Sequence, residues 1–212
     1  LLRPGLMRLK ILDAGCGTGG LTRKLFECGK VVGLDISMLA LSLVKNKNAA
    51  YINGSVNKLP FGGGSFNAVA SVSVLYHQRV DDVMAVNEMN RVLKKGGLAI
   101  VVLPAFSWLF SNHDRAVHTK KRYTLREAEK LMDRSGFNIV DSRYLFSFVF
   151  PIFVAKRILE KCGLINDSVS DLQELPKWLN CLLTYLCRIE WIVTKYIKLP
   201  FGSSLVIVAL KK

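Results

Sequence analysis

Residues 11–20 read ILDAGCGTGG, and this stretch decides the fold. An apolar run leads directly into a turn that carries Gly15, Gly17 and Gly19, and a helix-compatible segment follows. Glycine permits tight backbone conformations and lets a ligand approach where a Cβ would clash. A strand that runs into such a turn is typical of nucleotide-binding α/β domains, although the turn alone also occurs in enzymes that bind dinucleotides.

An acidic residue follows the glycine turn at a spacing that indicates the kind of ligand. Residues 31–37 read VVGLDIS and place Asp35 at the end of a second apolar strand, 20 positions after Gly15. A carboxylate there can accept hydrogen bonds from both ribose hydroxyls. Dinucleotide sites favour the spacing GxGxxG, whose third glycine allows close helix packing beside a pyrophosphate, whereas this turn reads GCGTGG. The spacing therefore favours a ribosyl cofactor other than a dinucleotide.

Strand-like and helix-like segments alternate along most of the chain, which is the pattern of βαβ units. We predict strands at 9–13, 30–35, 50–53, 66–72, 97–103, 138–145 and 204–210. We predict helices at 20–28, 37–46, 81–93 and 124–135, the last opened by a capping box of Thr124 and Glu127. The predicted fold is a doubly wound α/β domain with a seven-stranded, mainly parallel sheet whose last strand is antiparallel.

The alternation stops after the sixth strand. Residues 146–203 read as two or more helices, so we predict a helical insertion between strands six and seven. Apolar residues recur there at helical spacing beside lysines and arginines, which suits either packing on the sheet or an interfacial membrane helix. The longest apolar run, 144–155, is too short to span a bilayer. We expect a single domain over 1–212, with a cofactor half at 1–104 and an acceptor half at 105–212.

Residues 9–104 resemble the class I S-adenosylmethionine-dependent methyltransferases of the small-molecule kind called type 11. Motifs in family order carry the resemblance: LDAGCGTG, GLDIS, Gly54 followed by LPF, the strand near 68–73, and NRVLKKGG at 90–97. The resemblance implies S-adenosylmethionine as cofactor. It also implies that Gly15 and Gly17 hold the methionine part, that Asp35 holds the ribose, and that Ile36 and Val56 flank the adenine.

Further residues complete the predicted cofactor site. The family often has an acidic residue after the glycine of its third-strand turn, but here Ser55 stands there, and its hydroxyl pairs without charge assistance. Cys16 could be a nucleophile or merely a small packed residue. The whole predicted cofactor set is Asp13, Gly15, Cys16, Gly17, Gly19, Asp35, Ile36, Ser55, Val56 and Ser71.

Candidate acceptor residues lie after the fourth and fifth strands. His77 follows the fourth strand, and His113 with Asp114 follows the fifth, on a stretch that also contains the cationic run 120–122. A histidine with a carboxylate can act as the general base that a hydroxyl acceptor needs. The alternative for His113 and Asp114 is a solvated loop. The alternative for His77 is a histidine that packs in the core or caps a helix. No His/Cys spacing predicts a metal site.

These observations predict methyl transfer to a small-molecule, lipid-linked or glycan acceptor, at oxygen. The formal net charge of +14 motivates two alternatives, an RNA methyltransferase and a non-catalytic domain that binds a cofactor or a membrane surface. Nucleic acid is disfavoured, because the chain lacks an aromatic and basic stripe and the motifs of base methylation. Five cysteines without a CxxC pair suit the cytoplasm, with peripheral attachment to the inner face of the membrane as an option. Because Leu1 is not methionine, we also expect a preceding segment.

Overall fold

A computed structural model describes residues 9–45, 49–164 and 176–212. Its seven strands form one sheet in the order β3-β2-β1-β4-β5-β7-β6. The strands are β1 (Leu9–Ala14), β2 (Gly29–Asp35), β3 (Ala50–Asn53), β4 (Phe66–Val72), β5 (Leu93–Pro104), β6 (Phe137–Leu145) and β7 (Ser204–Lys211). Only β7 runs antiparallel to its neighbours, and the other pairs are parallel. The predicted fold class is confirmed.

The helices differ more from the sequence prediction than the strands do. They are α1 (Gly20–Leu25), α2 (Met38–Ser42), α3 (Asp82–Val92), α4 (Asn112–Ala116), α5 (Leu125–Arg134), α6 (Phe150–Lys161) and α7 (Lys177–Val193). The helix predicted over 37–46 ends at Ser42, because the N–H groups of Leu43 and Val44 bond carbonyls only three residues back. The capping box of Thr124 and Glu127 at the start of α5 is confirmed.

The sheet is covered on both faces, and its central strands supply the core. Leu12, Leu34, Val69 and Phe66 are fully buried, together with Met89 of α3. Central parallel strands that are buried on both faces read as continuous apolar runs, as these do. The reversal of strand order between β1 and β4 opens a crevice at the carboxyl ends of these strands, where ligands of doubly wound sheets bind.

The helices α6 and α7 lie between β6 and β7 in the chain. Because β6 is parallel to β5, its carboxyl end delivers α6 to the same sheet edge as the crevice. Aromatic rings join this region to the segment after β5: Phe150 contacts Phe106, Trp108 and Phe201, with ring centroids 5.5–6.2 Å apart. Among the described residues, no helix combines the length and the apolarity needed to cross a membrane.

A buried polar cluster ties the segment before α5 to the start of α3. The Tyr123 hydroxyl donates to Asp82 Oδ2 at 2.8 Å, and Lys121 Nζ lies 2.7 Å from the same oxygen. Burial raises the pKa of the Asp82 carboxyl, but the bonds from Lys121 and Tyr123 outweigh it, so that pKa lies below its ordinary value of 3.8. The ionised carboxylate is therefore the form that the fold stabilises.

We expect Tyr123→Phe to lower the free energy of unfolding at pH 7 by about 1.5–3 kcal/mol, the value of a hydrogen bond to a charged group. Because the folded-state pKa of Asp82 is lowered, its contribution is present above pH 3.8 and is lost as the pH falls through the folded-state value. The difference from wild type should therefore shrink at pH 3. Urea unfolding at both pH values measures it, and Tyr185→Phe, on an exposed tyrosine, is the control. A difference that does not depend on pH would contradict this role of Asp82.

Candidate functional site

The glycine turn is folded onto the end of β2. The backbone N–H groups of Gly15 and Cys16 both donate to the Leu34 carbonyl, at 2.7 and 2.9 Å. Gly15 has a φ of 88°, a conformation that residues with a Cβ rarely adopt. A Cβ on Gly15 would also lie 2.2 Å from Val74 Cγ2. Glycine is thus required at position 15 for two independent reasons.

Asp35 closes this turn from the side. Its Oδ2 accepts a hydrogen bond from the Gly17 N–H at 2.8 Å, and its Oδ1 accepts one from the Ser37 N–H at 2.8 Å. The Asn53 amide donates to the backbone carbonyls of Asp35 and Ile36. A carboxylate has about four acceptor positions, so two bonds orient Asp35 and leave further capacity for a ligand.

Asp13 lies beneath the turn and is 1% exposed. Its Oδ2 accepts a hydrogen bond of 2.6 Å from the hydroxyl of Thr22, which is also fully buried. Burial raises the pKa of the Asp13 carboxyl, while the bonds from Thr22 oppose that rise. This pair links β1 to α1, which fixes the direction in which the helix leaves the turn.

Cys16 has the environment of a packed thiol. Burial, together with the nearby carboxylates of Asp13 and Asp35, raises the pKa of its thiol to about 12. Since the thiolate is the nucleophilic form, this environment opposes nucleophilic chemistry. Its sulfur also lies where a Cβ on Gly33 would be only 2.9 Å away. Of the two interpretations drawn from the sequence, the structure favours packing.

A pocket of about 660 Å³ opens beside the turn, within the range of roughly 300–1,000 Å³ common for small-ligand sites. Seven of the sequence-predicted residues line it: Gly15, Gly17, Asp35, Ile36, Ser55, Val56 and His77. Six do not: Asp13, Cys16, Gly19, Ser71, His113 and Asp114. Ser71 is buried, and its hydroxyl has no hydrogen-bond partner within the described ranges.

One wall of the pocket consists of two loops joined by backbone hydrogen bonds. The Gln78 N–H donates to the His118 carbonyl at 2.9 Å, and the Lys120 N–H donates to the Tyr76 carbonyl at 2.7 Å. These bonds form an isolated antiparallel bridge between the segment after β4 and the segment after α4. The wall is therefore built from two parts of the chain that are 40 residues apart.

His77 has a defined tautomer in this wall. Its Nδ1 lies 3.0 Å from the Val117 carbonyl oxygen. A carbonyl can only accept, so Nδ1 carries the proton of this bond and Nε2 of the neutral ring is an acceptor. The ring also lies against Tyr76, with centroids 4.5 Å apart. His77 thus combines a fixed orientation with a position on the pocket lining.

The predicted acid-base pair of His113 and Asp114 has a different environment. Asp114 is 2% exposed and receives two bonds from the Arg122 guanidinium, at 3.0 and 3.1 Å. Its Oδ2 also caps α4 by accepting from the N–H and hydroxyl of Ser111. The structure therefore does not bring His113 and Asp114 to the pocket, and the geometry gives Asp114 a part in holding the loop together.

Several lining residues lie outside the set predicted from the sequence: Ser73, Val74, Gln78, Arg79, Val80, Val117 and His118. Ser73 and His118 have positive φ values of 59° and 57°, which are uncommon for residues with a Cβ and often occur at functional sites. The position of residues 73–80 after β4, at the carboxyl edge, was a usable signal. No such signal marked residues 117–118, because the bridge that brings them to the pocket is formed by backbone groups.

Comparison with known proteins gives consistent results. Residues 12–101 match the family described as "Methyltransferase domain". Demethylmenaquinone methyltransferase of Staphylococcus aureus is 29% identical over 178 residues, which cover 76% of this chain and 69% of that protein.

Solved structures share the fold. An S-adenosylmethionine-dependent methyltransferase of Mesorhizobium loti superposes with a TM-score of 0.66 at 16% identity, covering 99% of this chain and 94% of that one. Phosphoethanolamine N-methyltransferase 2 of Haemonchus contortus, solved with S-adenosyl-L-methionine, gives 0.63 at 20% identity, covering 99% of this chain and 50% of that one.

We expect Gly15→Ala to destabilise the protein by about 2–4 kcal/mol, because a left-handed backbone strain and an overpacked contact with Val74 add together. Gly17→Ala is the matched control: its φ is 51°, but a Cβ there meets nothing within 4 Å. It should cost only about 1 kcal/mol. Thermal and urea unfolding measure both. Val74→Ala added to Gly15→Ala should recover part of the loss, and no recovery would contradict the proposed clash.

Proposed function

Because this chain is a class I S-adenosylmethionine-dependent methyltransferase, we propose that it methylates a hydroxyl group of a small-molecule acceptor, with His77 as the general base. The cofactor supplies a methyl group that its sulfonium already activates, so the protein mainly has to align the acceptor with it. The observation that carries the proposal is the hydrogen bond between His77 Nδ1 and the Val117 carbonyl, which leaves Nε2 able to accept a proton.

The lining of the pocket suits the cofactor. Gly17 leaves open space where a side chain would be, and Asp35 retains acceptor capacity for ribose hydroxyls after its two backbone bonds. Ile36 and Val56 offer apolar contacts for the adenine, and the Ser55 hydroxyl offers a neutral partner for its polar edge. We therefore assign the cofactor to the side of the pocket formed by the glycine turn and Asp35.

The opposite side of the pocket favours oxygen over an amine as the acceptor atom. Among the described residues that line it, the titratable side chains are His77, Arg79 and His118, and none of these is a carboxylate that could pair with an ammonium group. The Arg79 guanidinium suits a hydroxyl or an anionic substituent on the acceptor. In this proposal His77 removes the hydroxyl proton as the oxygen attacks, and general base catalysis of this kind typically increases the rate by about 10²–10⁴-fold.

The acceptor class is proposed from two lines of support. The relative named for demethylmenaquinone supports a small molecule. The apolar and cationic surface of α6 and α7, at the same sheet edge, favours a lipid-linked acceptor over a free glycan, with the protein bound peripherally to the inner face of the membrane. When the acceptor hydroxyl is a phenol, removing its proton also activates the neighbouring ring carbon for methylation. Product analysis therefore has to separate O-methylation from C-methylation.

We expect Asp35→Ala to weaken the binding of S-adenosylhomocysteine at least tenfold, since about 1.5–3 kcal/mol is lost with a charge-assisted hydrogen bond. Isothermal titration of the purified chain measures this. Asp133→Ala, on an exposed aspartate that pairs with Lys212, is the control and should bind like wild type. Circular dichroism must show that Asp35→Ala is folded, since its carboxylate also holds the turn. Unchanged affinity in a folded variant would remove Asp35 from the cofactor site.

We expect His77→Ala to lower kcat about 10²–10⁴-fold while leaving the affinity for S-adenosylhomocysteine unchanged. The assay incubates the chain with S-adenosylmethionine and a panel of hydroxyl, amine and carbon acceptors, including reduced demethylmenaquinone, and measures S-adenosylhomocysteine release and the methylated product by mass spectrometry. Among phenols, the loss should be smaller for 4-nitrophenol than for phenol, because its proton leaves more easily. A larger loss in His113→Ala would return the base to His113, and methylation of amines alone would overturn the oxygen proposal.

A further inference from the structure

The helices α6 and α7 have an inverted distribution of polarity. Of their described side chains, the most buried are Arg157, which is 3% exposed, and Glu190, which is 5% exposed. Others of their apolar side chains, such as Phe153 and Leu186, are half-buried, but seven large ones point outward, with exposed fractions of 48–69%. These are Ile152, Ile158, Trp178, Leu182, Tyr185, Trp191 and Ile192. A surface helix of a water-soluble protein normally buries its apolar stripe and exposes its charges.

Specific contacts fix this orientation. On α6, Arg157 Nη1 lies 2.6 Å from Glu160 Oε2, and its guanidinium stacks on the Phe153 ring at 4.7 Å. On α7, Glu190 Oε2 accepts a hydrogen bond of 2.9 Å from the Phe148 N–H. The two Arg157 contacts lie within α6, and the same Phe153 ring lies 5.9 Å from the Arg122 guanidinium outside the helix. Rotating α7 to bury its outer stripe would break the bond to Phe148, and rotating α6 would separate Phe153 from Arg122. The apolar faces are therefore held outward by the inner contacts.

The outward stripe has the composition of a membrane interface. Trp178, Leu182, Tyr185 and Ile192 follow one another at three-, four- and seven-residue spacing, so they lie along one face of α7. Tryptophan and tyrosine combine an apolar ring with a polar group and are enriched at the boundary between lipid and water. Aliphatic residues on the same face offer nothing to phosphates or base edges, which disfavours a nucleic acid as the partner.

Within α6 and α7 as the structure describes them, the outward-facing charges are of one sign. The acidic residues of α6 and α7 are Glu160 and Glu190, and both are turned inward. The exposed cationic side chains include Lys177 and Arg188, and Lys156, which is also exposed, lies 3.6 Å from Glu160. An outward face that is apolar and cationic is complementary to a bilayer that contains anionic lipids.

We propose that the outward faces of α6 and α7 form a docking surface for an anionic lipid bilayer. The helices would lie in the plane of the headgroups rather than span the membrane. Because α6 starts at the carboxyl end of β6, this position brings the pocket edge of the sheet close to the lipid, where a lipid-linked acceptor can reach it. Only the statement about the methylated acceptor rests on the proposed function, because binding to lipid needs neither cofactor nor acceptor.

The test is flotation of the full chain with vesicles of pure phosphatidylcholine and with vesicles that also contain phosphatidylglycerol. We expect the chain to float with the anionic vesicles and to bind the neutral ones at least about tenfold less. The variant Trp178→Gln, Tyr185→Gln, Ile192→Gln should lose at least about tenfold in binding to the anionic vesicles. The matched control, Val83→Gln, Met84→Gln, Val140→Gln, replaces exposed apolar residues elsewhere and should bind like wild type.

Several outcomes would overturn docking to lipid. No flotation of wild type with anionic vesicles would do so, as would an equal loss in the control variant. Sedimentation velocity that shows an oligomer of wild type, converted to monomer by the α7 variant without vesicle binding, would assign the surface to a second copy. Binding of an RNA oligonucleotide but not of anionic vesicles would assign this surface to nucleic acid. Titration of the α7 variant with S-adenosylhomocysteine shows whether the cofactor site is intact, which separates a failure of docking from a failure of the proposed function.

Discussion

Two hydrogen bonds to one carbonyl organise the functional part of this molecule. The Leu34 carbonyl at the end of β2 accepts from the N–H groups of Gly15 and Cys16, so the turn after β1 is tied to the neighbouring strand. Asp35, the next residue, binds the Gly17 N–H. The turn, the second strand and the Asp35 carboxylate consequently share one rigid frame. Without it, the parallel sheet would still have a crevice, but no defined set of groups would face it.

The sequence predicted this frame well, because its determinants are local. A strand, a glycine turn and an acidic residue 20 positions later are all visible in the printed chain. Six of the ten predicted cofactor residues line the pocket, and of the three predicted acid-base residues His77 does. The four other predicted cofactor positions, Asp13, Cys16, Gly19 and Ser71, are close in sequence to lining residues but do not line it. Side-chain direction within a turn depends on backbone angles that residue types only partly determine.

The pocket wall formed by the segments after β4 and α4 could not be predicted in the same way. His77 was identifiable from its position after the fourth strand, but its partner Val117 comes from a segment 40 residues later. Likewise, the Arg122 guanidinium that occupies Asp114 arrives from beyond α4, and α4 itself has five residues and too little length for a periodic signal. Pairings between distant segments are a property of the folded chain, so local patterns indicate the candidates but not their environment.

The bridge between the segments after β4 and α4 has a consequence for how such a pocket can change over evolutionary time. The bonds from Gln78 to His118 and from Lys120 to Tyr76 join backbone groups only. Side chains on these segments other than His77, whose ring also bonds the Val117 carbonyl, can therefore be exchanged while these backbone bonds remain. A frame in which Asp35 is held by the glycine turn is thus combined with a wall whose surface can vary. Diversification toward new acceptors then requires substitutions rather than a rebuilt loop.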